Sequence, residues 1–442
     1  MLALVLVLMR VSRALGQENE VGYRKSYYLE DDNRIKVTTD TVQFDVGVMP
    51  SVRLSGDVVI DAISGATPTG APPQSMWPFP TFNTLYQSAY QSSYSSQYNQ
   101  FVAMNQIYVD SGLETYQQLT NDAAGFAQLT APGIATNSAN ASFQSLTNSP
   151  NYRNNKVPLT YMHDQRSAFS LAAPIAFGPH TITPSFAFSV ESDYTSFAGA
   201  LNYSLSLNDK NTTVNVGWAH NGDSVRDDLF NWQLKTTDNV FLGVVQLLGP
   251  KAYLTVNASL GFEHGYLADP YRGVMFADVI QNNPDDAALS PEVRPRHRNN
   301  QILYVSWTQF VTPLDGSVEL SYRFFHDSYG IFAHTAELDW HQKIGKHLVL
   351  SPGFRVYVQN AADFYYVLVP NADNPPTFYS SDYRLSQFES IAAGLTLTWR
   401  VYKHLSLDAS YLRYVMRGLD GITSQSAYPT ANVFNIGCRI WF

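Results

Sequence analysis

The chain has 442 residues, with 28 Lys and Arg against 37 Asp and Glu for a formal net charge of -9; 14% of its residues are aromatic, with 28 Tyr among them. Acidity argues against nucleic acid as a partner, because phosphate binding needs a basic surface. The single Cys438 excludes an intramolecular disulfide framework or a cysteine-built metal cluster, and a charged fraction of 15% is low for a soluble globular protein.

The amino terminus opens with an apolar run, Leu2 to Met9, too short to span a bilayer as a helix, which takes ~20 residues. Ala14-Leu15-Gly16 then gives a small-x-small pattern suited to cleavage before Gln17, so residues 1–16 read as an export signal, although Arg10 and Arg13 follow the apolar run instead of preceding it. No other apolar run reaches helical spanning length. A closed barrel is the remaining way across a membrane, because every backbone group in lipid must find its partner within the protein.

From Val21 to Glu30 the chain alternates as a first strand, with a polar turn at Asp31 to Arg34. In the second, Val42, Phe44, Val46 and Val48 oppose Gln43, Asp45 and Gly47. After Met49-Pro50-Ser51, the third sets Val52, Leu54, Val58 and Ile60 against Arg53, Ser55, Asp57 and Asp61.

A long connection follows. Within it Tyr86, Tyr90, Tyr94 and Tyr98 recur every four residues among Gln, Ser and Asn, which predicts a helix with one aromatic stripe starting near Pro80 to Thr84. A second helical run is expected from Leu113 to Leu129. Residues 74–155 therefore read as an insert that folds inward as a plug, sits outside as a lid, or forms a low-complexity surface loop. Small residues on the next three strands (Ala168, Ser170, Ala172, Ser185, Ala187, Ala198 and Ala200) would leave room for a plug.

Onward, short turns near Gly178-Pro179, Asn208-Asp209-Lys210, Gly249-Pro250, Pro313 to Gly316, Gly345-Lys346 and Tyr402-Lys403 alternate with longer connections at about 65–157, 220–231, 265–299, 362–383 and 418–431. Short turns on one side and long loops on the other are the pattern of an outer-membrane barrel, and the count comes to about sixteen strands. Cost decides which face meets lipid, since Arg or Lys at the bilayer midplane costs ~2–4 kcal/mol. Leu254, Val256, Ala258, Leu260 and Phe262 therefore face oil, and Thr255, Asn257, Ser259, Gly261 and Glu263 face a wet lumen. The same division holds for Val318, Leu320, Tyr322 and Phe324 against Glu319, Ser321 and Arg323. It holds again for Leu348, Leu350, Phe354 and Val356 against Ser351, Gly353 and Arg355. Tyr203, Trp218, Trp340 and Trp399 fall toward strand ends, where an interfacial girdle belongs.

The chain ends on Phe434, Ile436, Cys438, Ile440 and Phe442 on one face of a last strand, with Asn435, Gly437 and Arg439 on the other. An aromatic terminus on such a strand is similar to the terminal strand of bacterial outer-membrane barrels, which implies recognition by the barrel assembly machinery. Cys438 on this face reads as a small hydrophobe.

Six stretches carry a further resemblance: DAISGATPTGAPP at Asp61 to Pro73, GYLADPY at Gly265 to Tyr271, RPRHR at Arg294 to Arg298, SYGIFAHTAELDW at Ser328 to Trp340, QNAADFYY at Gln359 to Tyr366 and SSDYRLSQF at Ser380 to Phe388. In order across nearly the whole mature chain, they resemble an uncharacterised family of predicted bacterial outer-membrane proteins, known as a domain of unknown function. The resemblance implies a barrel in the envelope and supplies no substrate or catalytic residue. The insert departs from the family, where a much shorter loop is expected.

Asp45, Arg53, Asp57 and Asp61 on early strands, and Glu319, Arg323, Arg355, Arg400 and Arg439 on later ones, are the candidate lumen charges. Acids on one wall and bases on another would select solutes by charge; equally, inward charges solvate a lumen or anchor an insert. Gly65, Pro68, Gly70 and Pro72 punctuate a strand end, and no Lys-Ser/Thr follows to make a phosphate loop. His163-Asp164, His220 with Asp223 and Ser224, and His326-Asp327 have no diagnostic catalytic spacing, and His163, His297 and His334 have no ligand spacing for a metal. The expectation is thus an all-β, transmembrane antiparallel up-and-down barrel of about 16 strands over residues 17–442, with a helical insert in one extracellular-side loop, set in outer-membrane lipid. Its expected work is passage of a small polar solute, with no catalytic group, cofactor or metal. A non-conducting surface barrel that binds a partner through its loops, and a rim hydrolase, are the alternatives.

Overall fold

The computed structural model describes residues 19–78, 81–148 and 155–442, and the expected export signal lies outside the described residues. Sixteen antiparallel strands form one sheet: β1 (Glu20–Glu30), β2 (Lys36–Met49), β3 (Val52–Pro68), β4 (Leu159–Ala172, resuming at Ile175–Phe177), β5 (His180–Val190), β6 (Tyr194–Leu207), β7 (Thr212–Arg226) and β8 (Trp232–Gly249) make the first half. The second half is β9 (Ala252–Gly265), β10 (His297–Val311), β11 (Gly316–Asp327), β12 (Phe332–Ile344), β13 (Leu348–Gln359), β14 (Phe388–Tyr402), β15 (Leu405–Gly418) and β16 (Thr430–Trp441). Each strand pairs with its sequence neighbours, and β1 pairs with both β2 and β16, so the sheet closes on itself. Asn19 and Phe442 complete the seam by exchanging backbone hydrogen bonds of 2.9 and 3.0 Å.

Turns at 50–51, 178–179, 208–211, 250–251, 312–315, 345–347 and 403–404 share the end that holds both termini; the long connections lie at the other. The one shortened against expectation is 220–231, because β7 continues to Arg226 and leaves only 227–231. There His220, Gly222 and Ser224 alternate with Asn221 and Asp223, so both faces are polar and period-two hydrophobicity no longer marks the strand. Ladder bonds to β6 and β8 hold it instead.

The register sends the apolar sets outward. Leu242, Leu320 and Phe197 are about half exposed on the barrel wall, as a surface solvated by lipid requires. Tyr203, Trp307, Trp340 and Trp399 face outward toward the short-turn end, while Trp218 sits farther up and donates to Asp238 at 3.2 Å. Outward charges do occur, in or at the margin of the loop-side half, and several are paired: Lys25 with Asp40 at 3.0 Å, His220 with Asp238 at 2.9 Å, Arg413 with Asp31 at 2.6 Å, and Arg417 with Glu389. Near the interface such groups cost only ~0–1 kcal/mol.

The insert is a helical hairpin, α1 (Phe82–Asp110) and α2 (Tyr116–Asn148), at the loop-side end between β3 and β4. Thr81 caps α1 through the Thr84 amide at 3.2 Å. Gly112, at φ +70°, ends it: the Gly112 amide reaches the Val109 carbonyl at 3.0 Å and the Leu113 amide the Tyr108 carbonyl at 2.9 Å. Thr115 and Gln118 then start α2 with a reciprocal capping box at 3.2 and 2.9 Å. The four tyrosines stack along α1 with ring centres 6.1–6.5 Å apart. On α2, Leu119, Ala123, Ala127, Ala131 and Ala135 are fully buried, a seam of mostly small residues, and α2 packs along α1. The helices pack along each other and along no barrel strand to a comparable extent.

Candidate functional site at the roofed mouth

Three loop-side connections fold across the barrel mouth. The 266–296 connection, with a two-residue ribbon of Gly273–Val274 on Ser290–Pro291 and a short helix α3 (Ala277–Asn282), reaches from β9 to the end of β3, where the Gly273 amide donates to the Thr69 carbonyl at 2.7 Å. Gly70 lies at that crossing with φ +99°, and a Cβ there would strike the Gly273 carbonyl. The 360–387 connection lies beside it, with Val369 and Met275 joined by backbone hydrogen bonding at 2.9 Å. It also reaches the 419–429 connection, through Tyr365 and Thr423 at 2.7 Å. Small apolar cores under these loops make the roof a packed structure: Tyr329 and Phe364 meet edge to face at 4.8 Å, and Tyr383 and Tyr428 at 5.7 Å.

At the centre of the roof lies an ionic cluster. Asp382, buried to 1% side-chain exposure, takes Arg294 at 2.9 Å and Arg384 at 2.5 Å, with Arg272 at 3.9 Å. Arg294 also holds Glu292 at 2.8 Å, and Arg384 holds Asp269. Burial opposes ionisation of Asp382, but Arg384, Arg294 and Arg272 outweigh it and keep the carboxyl well below the usual carboxylate range. Glu292 goes the other way: burial raises it further than Arg294 lowers it. The sequence stretches GYLADPY, RPRHR and SSDYRLSQF thus meet here, through Asp269, Arg294, Asp382 and Arg384.

Beneath the roof is a chamber of about 710 Å³. One side is formed by Asp164 on β4 with Glu191 and Asp193 between β5 and β6, and the other by Arg298 on β10 and Arg323 on β11, across the ring of strands. Tyr194, Tyr266, Tyr271, Phe325, Tyr329 and Tyr357 supply the aromatic part of the lining. Lower down, a second hollow of about 400 Å³ lies against β12 to β16.

The register turns all nine candidate lumen charges inward, and most find a partner on their own or an adjoining strand. Asp45 pairs with Arg53 at 2.7 Å, Asp61 with Arg166, Arg355 with Glu337 at 3.0 Å, and Arg439 with Glu20 at 3.1 Å. Asp57 accepts from Ser170, Arg400 stacks over Trp441 at 5.7 Å, and Glu319 lies opposite Asp339 in the ladder. Arg323 alone among the nine lines the chamber. Tyr86, Tyr90, Tyr94 and Tyr98 belong to the hairpin and do not line it.

Glu191, Asp193 and Arg298 were not among the sequence candidates. Arg298 lay within a noted stretch, but nothing in the period of the chain says that a loop and three strands will meet. The histidine pairs are separated by the pleat: His163, His220 and His326 point outward, whereas Asp164, Asp223 and Asp327 point inward. His297 and His334 also face outward, with His297 against His264 at 3.0 Å and His334 against Tyr322 at 2.7 Å.

No helix among the described residues is long and apolar enough to cross a membrane; the strands cross it, and the barrel belongs to the bacterial outer membrane. A family model described as Protein of unknown function (DUF3570) matches residues 5–231 and 228–427. No curated protein matches the chain. Among solved structures it is similar to CdiB from Acinetobacter baumannii, at 8% identity and TM-score 0.46, over 96% of this chain and 60% of that one, so it spans about three fifths of that protein's length. It is also similar to a bacterial polysaccharide outer membrane secretin (7% identity, TM-score 0.42, covering 96% and 98%) and to a loop-deletion form of OmpT of Vibrio cholerae (10%, 0.38, 96% and 99%).

Proposed function

This chain belongs to the family described as Protein of unknown function (DUF3570), and from that premise we propose that it is an outer-membrane channel or transporter for small polar solutes, gated by its loop roof. The supporting observation is the polar chamber of about 710 Å³ between the roof and the lumen of a sixteen-stranded cylinder, a size that leaves an aqueous interior. The ionic cluster around Asp382 acts as the latch. The hairpin is an outer arm in this reading, because it packs on itself and lines no part of the chamber.

Reconstitution in planar bilayers tests this. Full-length protein should give small or intermittent conductance, Asp382→Asn a larger one, and deletion of 81–148 no change. Absence of conductance from all three would end the channel reading. A second reading, a surface barrel that binds a partner, is supported by the arm's far end, where Met104, Ile107, Leu113 and Tyr116 stand 61–72% exposed. It gains if all three proteins are silent in bilayers and the arm alone captures a surface component that the 81–148 deletion loses.

A further inference from the structure

We propose that the chamber binds a zwitterionic solute of amino-acid or short-peptide size, its cationic end held by Asp164, Glu191 and Asp193 and its anionic end by Arg323. This deepens the channel reading and rests on it for the route by which the solute arrives.

The three carboxylates can bring one oxygen each within 4.8 Å of one another. By themselves they would take any cation. What narrows the choice is the opposite wall. Among the described residues Arg323 makes no ion pair; its guanidinium lies 5.5 Å over the Phe325 ring and lines the same chamber. Its neighbours are already satisfied, Arg298 by Asp327 at 2.6 Å and Arg384 by Asp382 at 2.5 Å. On the acidic side Asp164 accepts from the Ser192 hydroxyl at 2.9 Å, and Asp193 from the Tyr271 hydroxyl. Glu191 makes no ion pair among the described residues, and burial together with Asp164 and Asp193 raises its pKa against a weaker opposing effect from Arg166. An ammonium group relieves that repulsion.

The chamber therefore offers three carboxylates without an ion pair on one wall and one guanidinium without an ion pair on the other, among the described residues, and the two walls face each other across the ring. A dianion would set one end against three carboxylates, and a dication would leave Arg323 facing like charge. Either costs binding that a solute of both signs keeps. Pockets of ~300–1,000 Å³ suit small ligands of this class.

Isothermal titration of full-length, detergent-solubilised protein near pH ~7 with glycylglycine, succinate and putrescine decides the matter. Glycylglycine should bind at least about tenfold more tightly than either single-sign probe. Glu191→Gln and Arg323→Gln should each weaken it by about tenfold, the first narrowing the gap to succinate and the second the gap to putrescine. Equal binding of succinate or putrescine, no binding of glycylglycine, or variants that fold and bind as the parent would overturn the assignment. The comparison of probes on the parent protein stands even if a variant fails to fold. Conductance is read separately: a silent bilayer with selective glycylglycine binding removes the channel and keeps the site, while conductance without selectivity does the reverse.

Discussion

Asp382 is the residue on which the roof turns, because three arginines share it as counter-ion in a nearly dry setting. Replacing it with Asn leaves Arg272, Arg294 and Arg384 short of charge, and breaking a buried pair in this way costs ~3–5 kcal/mol. The expected outcome is loops that trypsin cuts in the folded barrel at a rate the parent does not show. The pH dependence follows from the sign of the shift. A carboxyl held below its unfolded value contributes fully above the unfolded pKa of ~3.9 and loses that contribution as pH falls through the lower folded value. Protection of the loops from an acid-stable protease should therefore persist at pH ~5 and fade only in stronger acid; fading already between pH ~7 and ~5 would assign the latch to another group. On the wall, the pleat separates two neighbours with opposite tolerance. Val256→Arg puts charge into lipid at a cost of ~2–4 kcal/mol, whereas Thr255→Arg puts it into water at little cost. Urea unfolding in lipid vesicles should separate the two variants by that margin, and equal losses would mean the faces are misassigned.

At the scale of elements, the hairpin was the part most visible in the sequence and least visible in its placement. A tyrosine every fourth residue marked α1, and Thr115 with Gln118 is a capping signal that would have moved the expected start of α2 from Leu113 to Tyr116. The extension of α2 from Leu129 to Asn148 was hidden because its seam is alanine, which carries little apolar contrast. Whether the insert enters the barrel depends on contacts between distant parts of the chain, which periodicity does not encode. The seam is tight enough that Ala131→Leu should overpack it by ~1–3 kcal/mol. Proteolysis should then open the arm while the barrel keeps its heat-modifiable migration on gels, and loss of both together would tie the arm to the barrel fold.

At the scale of the whole molecule, strand number, closure and the side that carries the long loops were all legible, because lipid outside and water inside impose one two-residue period on sixteen segments. The roof was not legible as structure. GYLADPY, RPRHR and SSDYRLSQF stood out as stretches, yet their meeting around Asp382 comes from two connections crossing one opening. Charges on the lumen wall were readable by parity, but their pairing across strands was not, since it depends on register between neighbours such as Asp61 and Arg166. We propose that the barrel assembly machinery recognises the apolar face of β16. Removing Phe442 should then lower the yield of inserted barrel in cells with little effect on refolding of purified chain into detergent; equal loss in both settings would make Phe442 a seam residue only.

The seam between β1 and β16 also has a meaning in time. The first strand to leave the ribosome finds its second neighbour only when the last eleven or so residues have been made. Until then the growing sheet has two raw edges, open to any other extended chain in the periplasm. A message cut short near its end does not yield a slightly smaller barrel; it yields a sheet that has no way to stop.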